Sequence, residues 1–439
     1  MHTERPKMVL TLFMHAAGYH KDSWRAPDSR AEELGYLDLV ADLTKGAEAA
    51  KLHAIFFGDM VTTTFTTDGD IKFNAFYEPI ATLSALAAIT ERIGLIGTIS
   101  TSFTEPYNVA RQLATLDNLS GGRAGWNIVT SAGGNEHFGI EQHLDRPTRY
   151  RRAEEHVRVC KALWDSWGDD AVIADRESGR WMDLERIHPI NHEGEFFKVR
   201  GPLNMRRPIQ GWPLLVQAGS SESGLGLGAA VADAIYTSQP VKAKSIEYVR
   251  EYRRRIAEAG RDPMSVKILP GILPIIGETQ SEAEEIAETL TSYIDMDHSR
   301  GHLAQVLRMA PDALDDLDLD APIPAELWVA DRSEGSRYEG LRIKGVDRGF
   351  TLRELIIDVV RAGGHQWLVG TPQSIADVMV DWFDSGACDG FNLNPPYTPD
   401  GFDRIYRLLV PELQERGVFQ RDYTGRTLRE HLGLARPTG

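Results

Sequence analysis

Between Gly219 and Ala234 the chain reads GSSESGLGLGAAVADA, directly after the apolar run Pro213–Ala218. A strand feeding a glycine-rich turn and then a helix is a place where phosphates sit, because the first helical turn offers unpaired N–H groups at the positive end of its dipole. A dinucleotide site would need its glycines inside the first tight turn, and an acid at the end of the next strand, roughly 20 residues on, for the ribose hydroxyls. Gly224 and Gly226 fall where the helix is already expected, and the next strand closes with Thr237, Ser238 and Gln239, none of them acidic. The Rossmann reading is therefore rejected, and the small residues are expected to let the helix pack closely. Ser220 and Ser221 remain as hydroxyls for a phosphate monoester, with a plain helix cap as the alternative, since serine is a favoured N-cap.

Other constellations come out negative. His188 and His192 have the spacing of a helical metal pair, but Pro189 lies between them and no acid completes the set. No metal site is expected. The chain has no GxSxG elbow, no GxxxxGK[ST] loop and no cysteine in a catalytic setting.

The elements that must position such groups alternate. MVLTLFMHA (from Met8) reads as a buried strand, GYLDLVADLTKGAEAAKL (from Gly35) as an amphipathic helix and HAIFFGDM (from His53) as a second buried strand. The rhythm continues through IGLIGTIST, AGWNIVTS, PLLVQA, ADAIYTSQ, VKILPGILPIIG and DGFNLNPPY, each separated by a helical pattern. About eight parallel strands are implied, the number that closes a TIM (β/α)8 barrel of the α/β class. Insertions interrupt it at about 171–212, read as a hairpin excursion, and at about 292–370. Neither looks like an independent domain, so residues 1–439 are taken as one barrel domain. The last stretch, about 420–439, reads as an arm for subunit contacts.

Composition narrows the partners. With 439 residues and 42% hydrophobic content the chain can bury one large core, and 48 Lys+Arg against 64 Asp+Glu give a net charge of −16. Such a surface repels nucleic acid and anionic membranes. Two cysteines far apart and no leader pattern fit a reducing cytoplasm.

LDNLSGGRAGWNIVTSAGG (from Leu116) carries the strongest signal. With FFGDM, YEPIATLSALAAIT, IGTISTSFTEPYNVARQLATLDNLSGGR, GPLNMRRPIQGWP, QAGSS, ADAIYTSQ and PELQERGVFQRDYTGRTLREHLGL, it resembles the flavin-dependent monooxygenases of the bacterial luciferase-like superfamily. The branch is that of nitrilotriacetate, EDTA and dibenzothiophene-sulfone monooxygenases, and the resemblance covers nearly the whole chain. It implies an enzyme that takes reduced FMN from a separate NAD(P)H:flavin reductase and reacts it with O2. The resulting flavin hydroperoxide oxygenates a small organic substrate, such as a polyamino-carboxylate or an aromatic sulfone. Such an enzyme would be a cytoplasmic homo-oligomer, dimer or tetramer. The alternatives are a deazaflavin-dependent oxidoreductase of the same superfamily and a non-catalytic flavin-binding barrel.

The resemblance also implies roles for single residues. Asp59 matches the family's flavin-contacting acid, Ser100 and Thr101 can approach the flavin ring, and Asn127 and Thr130 suit its polar edge. Ser220, Ser221 and Tyr150 would hold the phosphate. Arg146 stands where relatives carry histidine; it can bind phosphate bidentately but offers no titrating imidazole, the alternative being a solvated loop arginine. His20, in GYHKDSWR, is the candidate catalytic proton donor or acceptor. Phe13, Phe57 and Trp126 would wall the site or serve as core, and Arg206, Arg207 and His365 lie in or near the insertions as candidate substrate anchors.

Overall fold

The computed structural model describes residues 5–61, 77–131, 133–328 and 336–438. Its strands are the short apolar runs of the sequence, and they lie in parallel because each is followed by a helix long enough to return the chain to the same end. They are β1 (Val9–Phe13), β2 (Ala54–Phe57), β3 (Gly94–Ser100), β4 (Ala124–Val129), a small antiparallel pair β5 (His192–Glu193) and β6 (Lys198–Val199), then β7 (Leu214–Gln217), β8 (Ala234–Thr237), β9 (Lys267–Ile276), β10 (Gln366–Gly370) and β11 (Gly390–Leu393). The order β1-β2-β3-β4-β7-β8-β9-β11 closes on itself, with Val9 of β1 facing Gly390 of β11. This is an eight-stranded TIM barrel.

Around it run α1 (Leu37–Ala49), α2 (Pro79–Ala87), α3 (Pro106–Ser120), α4 (Arg146–Trp164), α5 (Glu222–Val231), α6 (Lys242–Glu258) and α7 (Gln280–Ser292). Strand residues alternate between bore and helices. Val9, Ala54, Phe56, Ile96, Val216, Tyr236 and Leu269 share one cluster inside the barrel, whereas Leu10, Leu12, Ile55, Phe57 and Leu95 pack outward. No helix among the described residues is long and apolar enough to cross a membrane.

The two interruptions behave differently. Residues 171–212 carry β5, β6 and the isolated bridge Val172–Met182. The second holds α8 (Met296–Val306), α9 (Ser336–Arg342) and α10 (Leu352–Ala362) around its own apolar cluster of Leu303, Leu307, Leu341, Leu355 and Val359. It ends in a strand that the sequence reading left unassigned. β9 is long enough for two neighbours on one side: Lys267–Pro270 pair with β8, and Ile272–Ile276 pair with β10. The wall of the barrel is thus split between β8 and β10 at the level of Gly271.

After α11 (Pro372–Asp384), α12 (Asp400–Arg404) and α13 (Val410–Glu415), the chain ends with α14 (Leu428–His431). The segment read as an arm for subunit contacts packs onto its own barrel. Leu428, Leu432 and Leu434 join the interior cluster, and a Cβ on Gly94, at the start of β3, would overlap Leu428. The bore is therefore closed at the N-terminal ends of its strands.

Burial holds the imidazoles of His20, His53 and His156 down to about 3 and that of His431 to about 4. Unfolded, they take a proton near 6.5, so below that pH the unfolded state binds more protons than the native one. The stability these groups contribute is complete above pH 6.5 and drains as pH falls toward 4, by up to about 1.4 kcal/mol per pH unit for each. Asp117, pushed up to about 6 by burial, works in the opposite direction for one proton. The thermal midpoint is expected to fall steadily between about pH 7 and pH 5; a flat profile there would show that these rings are not held neutral.

Candidate active site

β7 ends beneath the glycine–serine turn. Gln217 Oε1 accepts the Gly219 N–H at 2.8 Å, and the Ser221 hydroxyl caps α5 by accepting the Gly224 N–H at 3.3 Å. A Cβ on Gly219 would stand 3.0 Å from Gly224 Cα and 3.1 Å from the Tyr150 hydroxyl. Glycine at both positions lets the turn lie flat against the helix, and it brings Tyr150 to the turn. Gly224 is thus a packing residue, and Ser221 makes the cap while its neighbours leave the first-turn N–H groups of α5 facing outward from the helix end.

Tyr150 and Arg146 both lie at the start of α4, where Asp145 is the N-cap and accepts the Thr148 N–H at 2.9 Å. Arg146 is therefore a first-turn residue rather than part of a loop. The same turn brings Arg149, which the sequence reading passed over although RPTRY places it at helical spacing from Arg146. Its Nη1 donates to Leu144 O at 2.8 Å, while its Nε is buried with no partner. Burial, and then the neighbouring Arg146, lower its pKa. Two guanidinium groups side by side, a tyrosine hydroxyl and a helix N-terminus together form a cradle for an anion.

Across β3 and β4 the mouth is polar. Thr98 Oγ1 donates to Phe57 O at 2.8 Å and accepts Asn127 Nδ2 at 2.9 Å. This fixes the Asn127 amide so that Oδ1 is buried with no partner. An orphaned buried acceptor costs about 1–3 kcal/mol, which a ligand N–H would recover. Ser100 Oγ accepts the Ser131 hydroxyl at 2.8 Å and the Ser102 N–H at 3.2 Å. Thr101 spends its hydroxyl on Val129 O at 3.0 Å, a bond that ties β3 to β4. Thr130, half-buried, follows the last residue of β4. Asp59, just past β2, is half-buried, and its carboxyl is raised first by burial and then by Glu78.

Aromatic rings line the bore below. Phe56 stands 5.0 Å from Phe13 and 4.7 Å from Tyr236, and Phe13 is 5.6 Å from Tyr19. Phe13 is a wall residue as expected, but Phe57 and Trp126 are not. Both face the surrounding helices, since the period of two turns Phe56 inward in place of Phe57.

β7 is the fifth strand from β1 around the ring, so the anion cradle lies opposite the loop after β1. That loop carries His20, 1% exposed, whose backbone N–H bonds Pro396 O at 3.0 Å. Nδ1 accepts the Asp22 N–H at 3.3 Å, which leaves the proton on Nε2; that atom is buried without a partner, and the ring lies 6.2 Å from Trp367. At neutral pH His20 is thus a neutral hydrogen-bond donor. Arg206 and Arg207 are not at this end at all. Arg206 bonds Asn118 near the C-terminus of α3, and Arg207 bonds Asp165, Asp169 and Pro437 O.

Comparison with known proteins gives a consistent result. The Luciferase-like monooxygenase family model matches residues 8–388. The chain is 40% identical over 443 residues to N-acetyl-S-(2-succino)cysteine monooxygenase of Bacillus subtilis (strain 168), covering 100% of this chain and 99% of that protein. It is 39% identical over 444 residues to nitrilotriacetate monooxygenase component A of Aminobacter aminovorans, covering 98% and 97% respectively. Among solved structures, riboflavin lyase with modified FMN and substrate riboflavin superposes with a TM-score of 0.84 at 28% identity, covering 97% of this chain and 95% of that one.

Proposed function

The chain belongs to the luciferase-like monooxygenase family, and from that premise we propose that it binds reduced FMN at the C-terminal mouth of the barrel and oxygenates a small carboxylate-bearing substrate. It is a two-component flavin-dependent monooxygenase, the class to which its full-length relatives belong. The observation that supports FMN is the β7–α5 turn, where a monoester phosphate would meet Ser220, Ser221, the Tyr150 hydroxyl and the Arg146–Arg149 pair. Asn127 Oδ1, the orphaned acceptor over the bore, suits the imide N–H of the flavin ring. Asp59, Ser100, Thr101 and Thr130 are assigned to the same flavin pocket on the family pattern. Carboxylate substrates are favoured over sulfones because nitrilotriacetate and a succinylated cysteine are named for the two relatives above.

When bound, reduced FMN supplies the electron pair that activates O2. The chain's own residues do the rest. The cradle holds the phosphate, Asn127 sets the ring's orientation, and Phe13, Phe56 and Tyr19 keep water from the bore. His20 presents its Nε2 proton to the substrate side. The electrons are assigned to a separate NAD(P)H:flavin reductase, since one relative is named as component A of its monooxygenase. The protein is assigned to the cytoplasm, as a homo-oligomer.

The experiment supplies reduced FMN through a reductase under 18O2, with nitrilotriacetate and N-acetyl-S-(2-succino)cysteine as substrates. One labelled oxygen in the product is expected; turnover that proceeds without O2 would favour deazaflavin-type hydride transfer instead. In the same assay His20→Ala should bind FMN as the wild type does and lose about tenfold or more in product formed per O2 consumed. Unchanged coupling would make His20 a bystander.

A further inference from the structure

The split in the barrel wall brings a side chain of the second insertion against the end of β11. Leu269 of β9 faces the bore, so Gly271, two residues on, faces it as well. A Cβ on Gly271 would overlap His365 Nδ1 and stand 2.8 Å from Asn394 Nδ2. Glycine is required here because these two nitrogens converge on the space that a side chain would fill. His365 is supplied by the second insertion, from the turn between α10 and β10, where the Ser238 hydroxyl grips Gly364 O. Its ring packs edge-on against Tyr19 at 5.6 Å.

Asn394 is held with equal care. The Thr11 hydroxyl donates to Asn392 Oδ1 at 2.8 Å, and Asn392 Nδ2 donates to Asn394 Oδ1 at 3.2 Å. That relay fixes the Asn394 amide with its NH2 toward Gly271, and this group is 1% exposed with no partner. A buried donor held this firmly and left unpaired points to a ligand acceptor.

On the outer side of the same gap lies a groove of about 460 Å³ that His365 also lines, together with Lys242, Lys344, Arg348 and Trp367. Lys242 pairs with Asp381 and Lys344 with Asp358, whereas Arg348 has no ion-pair partner among the described residues. On a chain of net charge −16, this is an opening that favours an anion.

We propose that His365 and Asn394 are the specificity-determining pair of this barrel, receiving a carboxylate of the substrate at Gly271 after it enters through the gap between β8 and β10. The assignment rests on the flavin reading above and names the substrate group which that site selects. It also explains why His365 comes from an insertion: the barrel supplies the flavin end, and the inserted helices supply the end that recognises the substrate.

The test is calorimetric titration of succinate, a minimal dicarboxylate, into the FMN-loaded protein. Wild type should bind; Asn394→Asp, which replaces the donor with a like charge at constant shape, should abolish binding, and His365→Ala should weaken it about tenfold. FMN affinity should stay at the wild-type value in both variants; the buried charge of Asn394→Asp lowers its melting temperature, so His365→Ala, which adds no charge and should melt like the wild type, decides where that variant does not fold. No succinate binding to wild type, or equal binding in all three proteins, overturns the proposal. If the wild type fails to bind FMN, the flavin reading falls, and the same succinate titration on the FMN-free chain still decides for or against the pair.

Discussion

A carboxylate at position 428 is expected to leave no folded protein. Leu428 is fully buried among Val9, Ala54, Ile96 and Leu214, where with Leu432 and Leu434 it helps close this end of the barrel, and its N–H donates to Gly122 O at 2.9 Å. Truncation to alanine at such a site costs about 2–5 kcal/mol, and an unpaired desolvated charge costs more, against a total stability of about 5–15 kcal/mol. Nothing nearby can rescue it. The adjacent Arg429 is already committed to Asp233 through two bonds, of 2.6 and 3.1 Å, and to Trp212 O at 3.0 Å. Leu428→Asp should therefore give no soluble protein, while Leu428→Ala should fold and lose about 3 kcal/mol in urea denaturation. A Leu428→Asp variant that melts like the wild type would mean that the C-terminal segment lies elsewhere in solution.

That segment shows where sequence reasoning gave out. The barrel was legible because parallel strands are buried on both faces and read as unbroken apolar runs, such as VLTLF and GLIGTIS, separated by helical patterns. Leu428, Leu432 and Leu434 carry the same apolar signal as any surface helix, and no local pattern says which surface they cover. β10 was missed for a related reason. QWLVG is a fair strand, but only the length of β9, which outruns β8, makes room for it.

The site was legible in its turn and less so in its depth. Glycine and serine after a strand pointed to the β7–α5 turn and its cap, because turn chemistry is local. Of the two roles open to Phe57 the structure gives it that of core, and the wall falls to Phe56, because in a strand one residue exchanges bore for helix. Arg149 could have been found, since Asp145 and Pro147 mark the helix start that puts it beside Arg146. His365 and Asn394 could not be paired from sequence. They meet only because the wall opens at Gly271, and the opening is a property of three strands at once.

Arg149→Ala is expected to weaken FMN binding by about ten- to a hundredfold and to leave riboflavin binding unchanged. Charge-assisted bonds to phosphate are worth about 1.5–3 kcal/mol, and riboflavin carries the same ring without the phosphate. The comparison matters because the residues around the turn also support the fold. Ser221 caps α5, so Ser221→Ala carries a stability cost of about 0.5–2 kcal/mol whatever it does to the cofactor. Arg149 is a cleaner probe. Its Nε is buried and unpartnered, its Nη1 bonds Leu144 O, and burial together with the adjacent Arg146 makes its positive charge unfavourable until an anion arrives. Removing it relieves that repulsion, so the empty protein should be no less stable. Fluorescence titration with both flavins separates the outcomes. Loss confined to FMN places Arg149 on the phosphate, equal loss of both flavins would assign it to the shape of the pocket, and no loss of either would move the phosphate away from the first turn of α4.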